Sequence, residues 1–264
     1  MNILSIPRIV DARLVERFIF NFRLRPDALD ERLPATWLKP QVFNGWSVAS
    51  FCVLALDRIT VWPIPPFADI KNIKTISCAY RCGAVDISKP TANPTVYITD
   101  RNADNSAISY LAPMILKDTI PLVKADIAQS DGTTEISISH PDGQRLFSAL
   151  VRTAPDPSAL DSEVFDSLEA FVAFIKGGVS SWTPSVQEGA LARVDLAKED
   201  ATYEVREADV DFNALESLWR DADLKLDSVV RATGGRYRWT YRGLARSDRL
   251  VQSSPPSDRG RAKA

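Results

Sequence analysis

Residues 95–101 read Thr-Val-Tyr-Ile-Thr-Asp-Arg, and a short polar segment then leads into an apolar stretch that ends at Lys117. β-Branched and aromatic residues favour a strand over 95–101. The apolar spacing of residues 106–117 favours a helix, which Pro113 should kink or shorten. Together the two elements deliver Lys117 beside apolar residues. Burial lowers the pKa of a lysine and makes its amine a nucleophile at neutral pH.

The composition is that of a folded domain without an excess of charge. The chain has 264 residues, of which 45% are hydrophobic and 25% are charged, and its net charge is −2. That balance gives no electrostatic reason to bind nucleic acid or an anionic membrane. We expect a small molecule as the partner, with neither nucleic acid nor a membrane involved.

The cysteines and the N-terminus bear on metal binding and on location. The three cysteines, Cys52, Cys78 and Cys82, cannot all pair with one another, which fits a reducing compartment. Cys78 and Cys82 lack a second cysteine pair and a nearby histidine, so no metal site is expected. The chain has neither a signal-peptide pattern nor an apolar run of the roughly 20 residues that span a bilayer. These features predict a cytoplasmic protein.

Alternating patterns and turn signals predict a strand-dominated chain with a few short helices. Strands are expected at 18–24, 46–58, 73–86, 95–101, 122–128, 133–140, 145–153, 193–208 and 236–241. Helices are expected at 26–34, 106–117, 167–176 and 212–218. We predict one domain over residues 1–246, followed by a disordered tail, residues 247–264, that is rich in Ser, Pro, Arg and Lys.

In this order the elements resemble the acetoacetate decarboxylase-like superfamily, and within it a branch known only as a domain of unknown function. Over about residues 13–241, the segments that carry the resemblance are 22–34, 42–46, 96–99, 120–121 and 167–171. The resemblance implies a β-rich α+β fold, a closed cone-like antiparallel β-barrel with a few flanking short helices around a small-molecule pocket. It also implies larger assemblies, so a homo-oligomer is among the expectations.

The resemblance also suggests where the reactive lysine should be. In the decarboxylase, a Schiff-base lysine and a second lysine precede a Tyr-Pro pair. Here Ile120-Pro121 takes the place of that pair, which puts Leu116 at the Schiff-base position and Lys117 at the position of its partner. The resemblance implies that Lys117 is a pocket cation or, with the helix shifted by one residue, the nucleophile. The acidic residue of the family has Asp69 as its counterpart.

Two assignments stay open at this stage. The arginine that the family carries on its opening strand corresponds to Arg13 or Arg17. Tyr80 and Arg81 are neighbours in a strand and face opposite sides, so one of them points inward. An inward Arg81 could hold a carboxylate through two hydrogen bonds.

These residues support two hypotheses of different classes. The first is a lyase-type enzyme acting on a carbonyl or carboxylate compound, by decarboxylation, aldol or dehydration chemistry through an iminium ion. Lys117 would supply the amine or a cation, Arg81 would orient the carboxylate, and Asp69 would shuttle protons.

The second hypothesis is a non-catalytic binding or sensing protein that lost the Schiff-base lysine, which Leu116 favours. A variant of the first uses Asp69, Tyr80 or Tyr97 for acid–base work without a covalent step. The substrate-binding candidates are Arg81, Tyr80, Tyr97, Leu116 and Lys124. No cofactor is expected, because the chain has no glycine-rich phosphate loop.

Overall fold

A computed structural model describes residues 8–62, 73–88, 90–199 and 201–249. The strands are β1 Ile9–Leu24, β2 Leu38–Pro40, β3 Ser47–Trp62, β4 Thr75–Asp86, β5 Asn93–Ala103, β6 Lys124–Ser130, β7 Thr133–Ser139, β8 Arg145–Thr153, β9 Ser180–Pro184, β10 Ala190–Lys198, β11 Thr202–Asn213, β12 Lys225–Thr233 and β13 Arg236–Arg246. The helices are α1 Pro26–Asp30, α2 Ser106–Ile115, α3 Leu168–Gly177 and α4 Ala214–Leu218, followed by a 3₁₀ turn at Arg220–Ala222. No helix in these ranges is long and apolar enough to cross a membrane.

The strands pair into one continuous sheet that returns on itself. Along the sheet the order is β13-β10-β9-β5-β4-β3-β1-β12-β11-β8-β7-β6, with β2 beside β4. Because β13 also pairs with β1, the pairings of β1, β3, β4, β5, β9, β10 and β13 form a ring. The predicted β-rich α+β class is confirmed, whereas the closed cone-like shape stays a prediction.

One link in the ring corrects the expectation of an antiparallel sheet. β5 and β9 pair in parallel, with Val96 opposite Ser181 and Tyr97 opposite Trp182. Parallel neighbours require a long crossover connection. Here the chain passes through the β6–β8 strands and α3 before it re-enters the ring at β9, so it arrives in the same direction as β5.

Strand alternation divides the core into two apolar clusters on opposite faces of the sheet. In β3, Phe51 and Val53 belong to the first cluster, whereas Cys52 and Leu54 belong to the second. The ring of Phe51 stacks on Phe147 in the first cluster, with 4.2 Å between centroids. The second cluster continues into the wall of a cavity.

Some boundaries differ from the sequence-based prediction. The single strand expected over 193–208 is two strands, β10 and β11, and β9 and β12 lie where no strand was predicted. The first residues of the expected tail contact the rest of the protein: the Thr36 amide donates to Asp248 Oδ1 at 2.7 Å. The remainder of that tail, from residue 250, lies outside the described residues.

Helix α3 packs in the second apolar cluster and begins at a serine cap. Ser167 Oγ accepts a hydrogen bond from the Ala170 amide at 3.2 Å, which satisfies one of the free amides of the first turn. Phe171 and Ile175, four residues apart, form the buried face of the helix. The cap therefore fixes where α3 starts relative to the cavity.

We predict that Ser167→Ala lowers the free energy of unfolding by about 1 kcal/mol, because the Ala170 amide loses its partner. Urea unfolding monitored by circular dichroism measures the change. Ser109→Ala, within α2, is the control and should change stability by less than about 0.5 kcal/mol. Equal effects of the two variants would contradict the capping role.

Candidate active site

A cavity of about 120 Å³ has walls contributed by all seven strands of the ring. Its apolar wall includes Leu54, Leu56, Ile98 and Leu196. Helix α3 adds Phe174 and Ile175, and Phe174 can approach because residue 83 is glycine: a Cβ there would lie 3.2 Å from the Phe174 ring. The result is a small apolar chamber.

The charged side chains of the wall, as far as the described residues show, are all basic. Four basic side chains line the cavity: Arg17, Arg81, Arg101 and Lys198. No Asp or Glu of the described residues lines it. A group of cations at a cavity wall to which no carboxylate side chain contributes favours an anionic ligand.

β-Bulges aim two of these cations into the cavity. β1 shifts register between Leu14 and Glu16, so that Val10 and Ala12 before the shift and Arg17 after it lie on the same wall. Without that extra residue, Arg17 would face the opposite side of the sheet.

A second bulge lies between β4 and β5. Tyr80 pairs with Asp100 and Arg81 pairs with Ile98, so the extra residue is Thr99 of β5. It puts Val96 and Ile98 before it and Arg101 after it on the cavity wall, whereas Arg81 reaches that wall by ordinary alternation in β4. Bulges commonly re-aim side chains next to active sites.

Arg17 is enclosed and partly paired. Its Nη2 donates to Cys52 Sγ at 3.3 Å and its Nη1 donates to Tyr237 Oη at 3.5 Å. Burial alone would lower the pKa of Arg17, but Cys52 and Tyr237 raise it above its ordinary value. Arg17 therefore carries a permanent positive charge at the cavity wall.

Arg81 has no hydrogen-bonded or ion-paired partner among the described residues, although Cys52 attracts its charge electrostatically. Its Nε is buried and unpaired, and no hydrogen bond or ion pair reaches its guanidinium from those ranges. Burial lowers the pKa of Arg81 to about 10, so the group keeps its charge at neutral pH. An unpaired charge inside a protein is costly, and a ligand carboxylate would remove that cost.

Arg101 differs from Arg81 because it has a carboxylate partner. Arg101 Nη1 lies 3.3 Å from Asp118 Oδ2, and Thr183 Oγ1 donates to Asp118 Oδ1 at 3.3 Å. Burial raises the pKa of Asp118, while Arg101 acts in the opposite direction. The charge of Arg101 is thus largely compensated by Asp118 within the protein.

Lys198, the last residue of β10, supplies an amine to the same cavity. Its Nζ donates to the carbonyl oxygens of Ile175 at 2.5 Å and Gly178 at 3.2 Å. Burial, followed by the charges of Arg17 and Arg81, lowers the pKa of Lys198 to about 7. A neutral amine has two N–H groups, which the two carbonyls accept, and its lone pair is then free to attack an electrophile.

This lowered pKa predicts a pH-dependent stability. The ordinary pKa of 10.5 applies to the unfolded chain. Below about pH 7 both states are protonated and the folded state bears the full cost of the buried charge. Between the two pKa values the unfolded state binds the extra proton, so stability rises with pH; above both, the contribution vanishes.

We therefore expect wild type to gain about 1 to 2 kcal/mol relative to Lys198→Met between about pH 7 and pH 9. Urea unfolding of both proteins across that range measures the difference. Parallel stability curves would show that Lys198 titrates normally. Lys176→Met, which removes an exposed lysine of α3, is the control and should track wild type.

The structure places the sequence-predicted residues in different regions. Arg81 and Leu116 line the cavity. Tyr80 and Tyr97 are buried in the other cluster, and Tyr80 Oη donates to the Leu146 carbonyl at 3.0 Å. Burial raises the pKa of both tyrosines.

The remaining candidates are not part of the cavity wall. Lys124 is exposed, and its Nζ donates to the Pro141 carbonyl at 3.0 Å. Lys117 is half-buried and is not among the residues that line the cavity, although its neighbour Leu116 is. Asp69 lies outside the described residues.

Sequence reasoning did not identify Lys198 and Cys52 as site residues. Of the two arginines left open, Arg17 lines the cavity, whereas Arg13 pairs with Asp57. A signal for Lys198 was present in the alternation of Val194, Leu196 and Lys198, which puts the lysine on an apolar strand face.

Several solved enzyme structures have a similar fold. The acetoacetate decarboxylase of Legionella pneumophila superposes with a TM-score of 0.59 at 14% identity, covering 89% of this chain and 84% of that one. The enduracididine biosynthesis enzyme MppR in complex with pyruvate gives 0.58 at 13% identity, covering 92% and 91%. An acetoacetate decarboxylase-like enzyme from Sphingomonas wittichii gives 0.57 at 14%, covering 92% and 94%.

These likenesses confirm, at the level of the fold, the resemblance to acetoacetate decarboxylase-like enzymes predicted from the sequence. No protein-family model and no curated protein matches the sequence.

Proposed function

We propose that this protein is a small-molecule enzyme that binds a carbonyl-bearing carboxylate in the ring cavity and reacts with it through Lys198. The observation that carries the proposal is the placement of an unpaired guanidinium, Arg81, and an amine with a pKa of about 7, Lys198, on the wall of one apolar cavity. The chemistry would be of the decarboxylase, aldolase or dehydratase type.

Arg81 favours a ligand that carries a negative charge. Burying its charge costs energy, and an anionic ligand that forms hydrogen bonds with the guanidinium would offset that cost. A planar guanidinium matches a carboxylate through two parallel hydrogen bonds. The apolar side chains around it exclude water and strengthen that interaction.

Reaction with Lys198 requires a carbonyl group in the ligand. The neutral amine attacks the carbonyl carbon and a C–N bond forms; the carbonyl oxygen, after two proton transfers, leaves as water. The resulting iminium ion accepts the electron pair of a breaking C–C bond, or that of a C–H bond whose proton is removed by a base. Lys117 remains the amine predicted from sequence, but we propose Lys198 because it lines the cavity and Lys117 does not.

The cavity limits the size of the ligand. Its volume of about 120 Å³ compares with about 150 Å³ in a cavity that accepts benzene, so a ligand of roughly six non-hydrogen atoms fits. A three- or four-carbon oxo-acid is of that size. The structure with MppR has pyruvate bound, a molecule of the same class.

A non-catalytic binding protein is the second candidate, and Leu116 on the cavity wall favours it, because that position corresponds to the reactive lysine of the resembled family. Such a protein would be stabilised by a ligand according to RT ln(1 + [L]/Kd) without turnover.

We also propose a cytoplasmic location, consistent with free Cys52, Cys78 and Cys82, and a homo-oligomer as in the resembled family.

Borohydride reduction separates the two candidates. The protein is incubated with a panel of short 2-oxo and 3-oxo acids, reduced and weighed by intact mass spectrometry, and its thermal unfolding is recorded with each acid. The enzyme hypothesis expects a reduced adduct of one acid and product formation. Ligand-dependent stabilisation without adduct or product would favour the binding protein, and the absence of both effects would contradict both candidates.

A further inference from the structure

Cys52 has an environment that the other two cysteines lack. Its side chain is 0% exposed, under the cavity surface, and its Sγ accepts the hydrogen bond from Arg17 at 3.3 Å. Burial opposes ionisation of the Cys52 thiol, yet Arg17 and Arg81 bring its pKa below the ordinary value. Burial raises the pKa of Cys82 to about 12 and raises that of Cys78 as well.

We propose that Cys52 is a positioning residue whose Sγ supplies the negative charge that offsets Arg17 and Arg81 and so sets the fraction of Lys198 present as the neutral amine. The inference rests on the proposed role of Lys198 as the cavity amine. Cys52 need not contact the ligand, which agrees with its lack of exposed surface.

The charged groups around Lys198 come from several strands. Arg17 of β1, Cys52 of β3 and Arg81 of β4 act directly on the ammonium of Lys198. Further from Lys198, Tyr237 of β13 interacts electrostatically with Arg17, and Tyr203 of β11 interacts with both Tyr237 and Arg17. Arg101 of β5 acts on Arg81. From α3, only carbonyl oxygens reach the Lys198 amine within the described residues. Cys52 and Tyr237 are thus the acidic groups of this set that oppose the two guanidiniums, and of the two Cys52 acts directly on Lys198.

The direction of the effect follows from these charges. A thiolate at Cys52 raises the pKa of Lys198, whereas Arg17 and Arg81 lower it. Without the thiolate the two guanidiniums would disfavour the ammonium further. The amine would then become reactive at a lower pH.

Charge and hydrogen bonding can be separated by substitution at this position. In Cys52→Ser the hydroxyl can still accept from Arg17 but carries no charge. In Cys52→Asp a negative charge is retained in a side chain of similar size. Cys78→Ser is the matched control, because Cys78 is equally buried and its pKa is raised.

The test measures reductive methylation of Lys198 by formaldehyde and cyanoborohydride as a function of pH, followed by peptide mass mapping. No oxo-acid is used, so the result is independent of whether the proposed substrate class is right. In Cys52→Ser we expect a midpoint at least about half a pH unit lower and labelling about threefold faster below pH 7. In Cys52→Asp the midpoint should stay at or above that of wild type, and Cys78→Ser should leave it unchanged.

An unchanged midpoint in folded Cys52→Ser, or an equal shift in Cys78→Ser, would overturn the proposal. If Cys52→Ser does not fold, the ultraviolet absorbance of thiolate in native wild type decides the question. One thiolate that develops between about pH 5 and pH 9 supports the proposal, whereas none in that range overturns it.

Discussion

Lys198→Met is expected to abolish the borohydride-reduced adduct and to reduce turnover of the oxo-acid substrate by at least about a thousandfold. Removal of a covalent nucleophile can cost up to about 10⁶-fold in kcat, and methionine keeps much of the volume of lysine without an amine. Because the ammonium is costly to bury at neutral pH, the variant should fold at least as stably as wild type. Single-turnover trapping and steady-state assays give the two readouts.

Two other lysine variants make this prediction specific. Lys176→Met removes an exposed lysine one residue from the Ile175 carbonyl that accepts from Lys198, and it should retain adduct and turnover. Lys117→Met tests the amine predicted from the sequence. Loss of the adduct in Lys117→Met and its retention in Lys198→Met would reject our assignment.

Arg81→Met is expected to weaken binding of a carboxylate ligand by about a hundredfold or more while leaving the ligand-free protein equally or more stable. A charge-assisted pair of hydrogen bonds contributes about 2 to 3 kcal/mol. The Arg81 guanidinium has no hydrogen-bond or ion-pair partner among the described residues, so the ligand-free protein loses no such contact there. Replacing buried charges by apolar groups can stabilise a protein by about 1 to 4 kcal/mol.

Arg101→Met is the matched control, with the opposite sign. Its loss leaves the buried carboxylate of Asp118 without its ion pair, which should lower the free energy of unfolding by about 3 kcal/mol. Urea unfolding without ligand and calorimetric titration with the trapped oxo-acid measure both effects. If Arg81→Met destabilised the ligand-free protein as much as Arg101→Met does, Arg81 would be a structural residue and not a ligand site.

Local sequence patterns predicted many of the strands and helices. Most predicted strands and helices are present because their signals are local: the long apolar run of β3, the amphipathic spacing of α3, and turn residues in the hairpin at Pro141–Gly143. Strand alternation also anticipated that Tyr80 and Arg81 would face opposite sides, and the structure places Arg81 at the cavity.

The cavity depended on features that local patterns do not show. Arg17 reaches the wall only because β1 carries an extra residue near Glu16, and alternation counted from the start of that strand would place it outside. Lys198 and Arg17 line the same cavity although they lie about 180 residues apart in sequence, and no local sequence period predicts such a long-range proximity. Lys117 was predicted from the position of the reactive lysine in the resembled family, whereas the lysine that lines the cavity, Lys198, lies on β10.

The cavity amine of Lys198, and no other lysine, should react with a small oxo-acid. Peptide mass mapping of the borohydride-reduced wild-type adduct locates the modified lysine. We expect the added mass on the peptide that contains Lys198, and more adduct as the pH rises through about 7. An adduct located only on Lys117 or on an exposed lysine would contradict it.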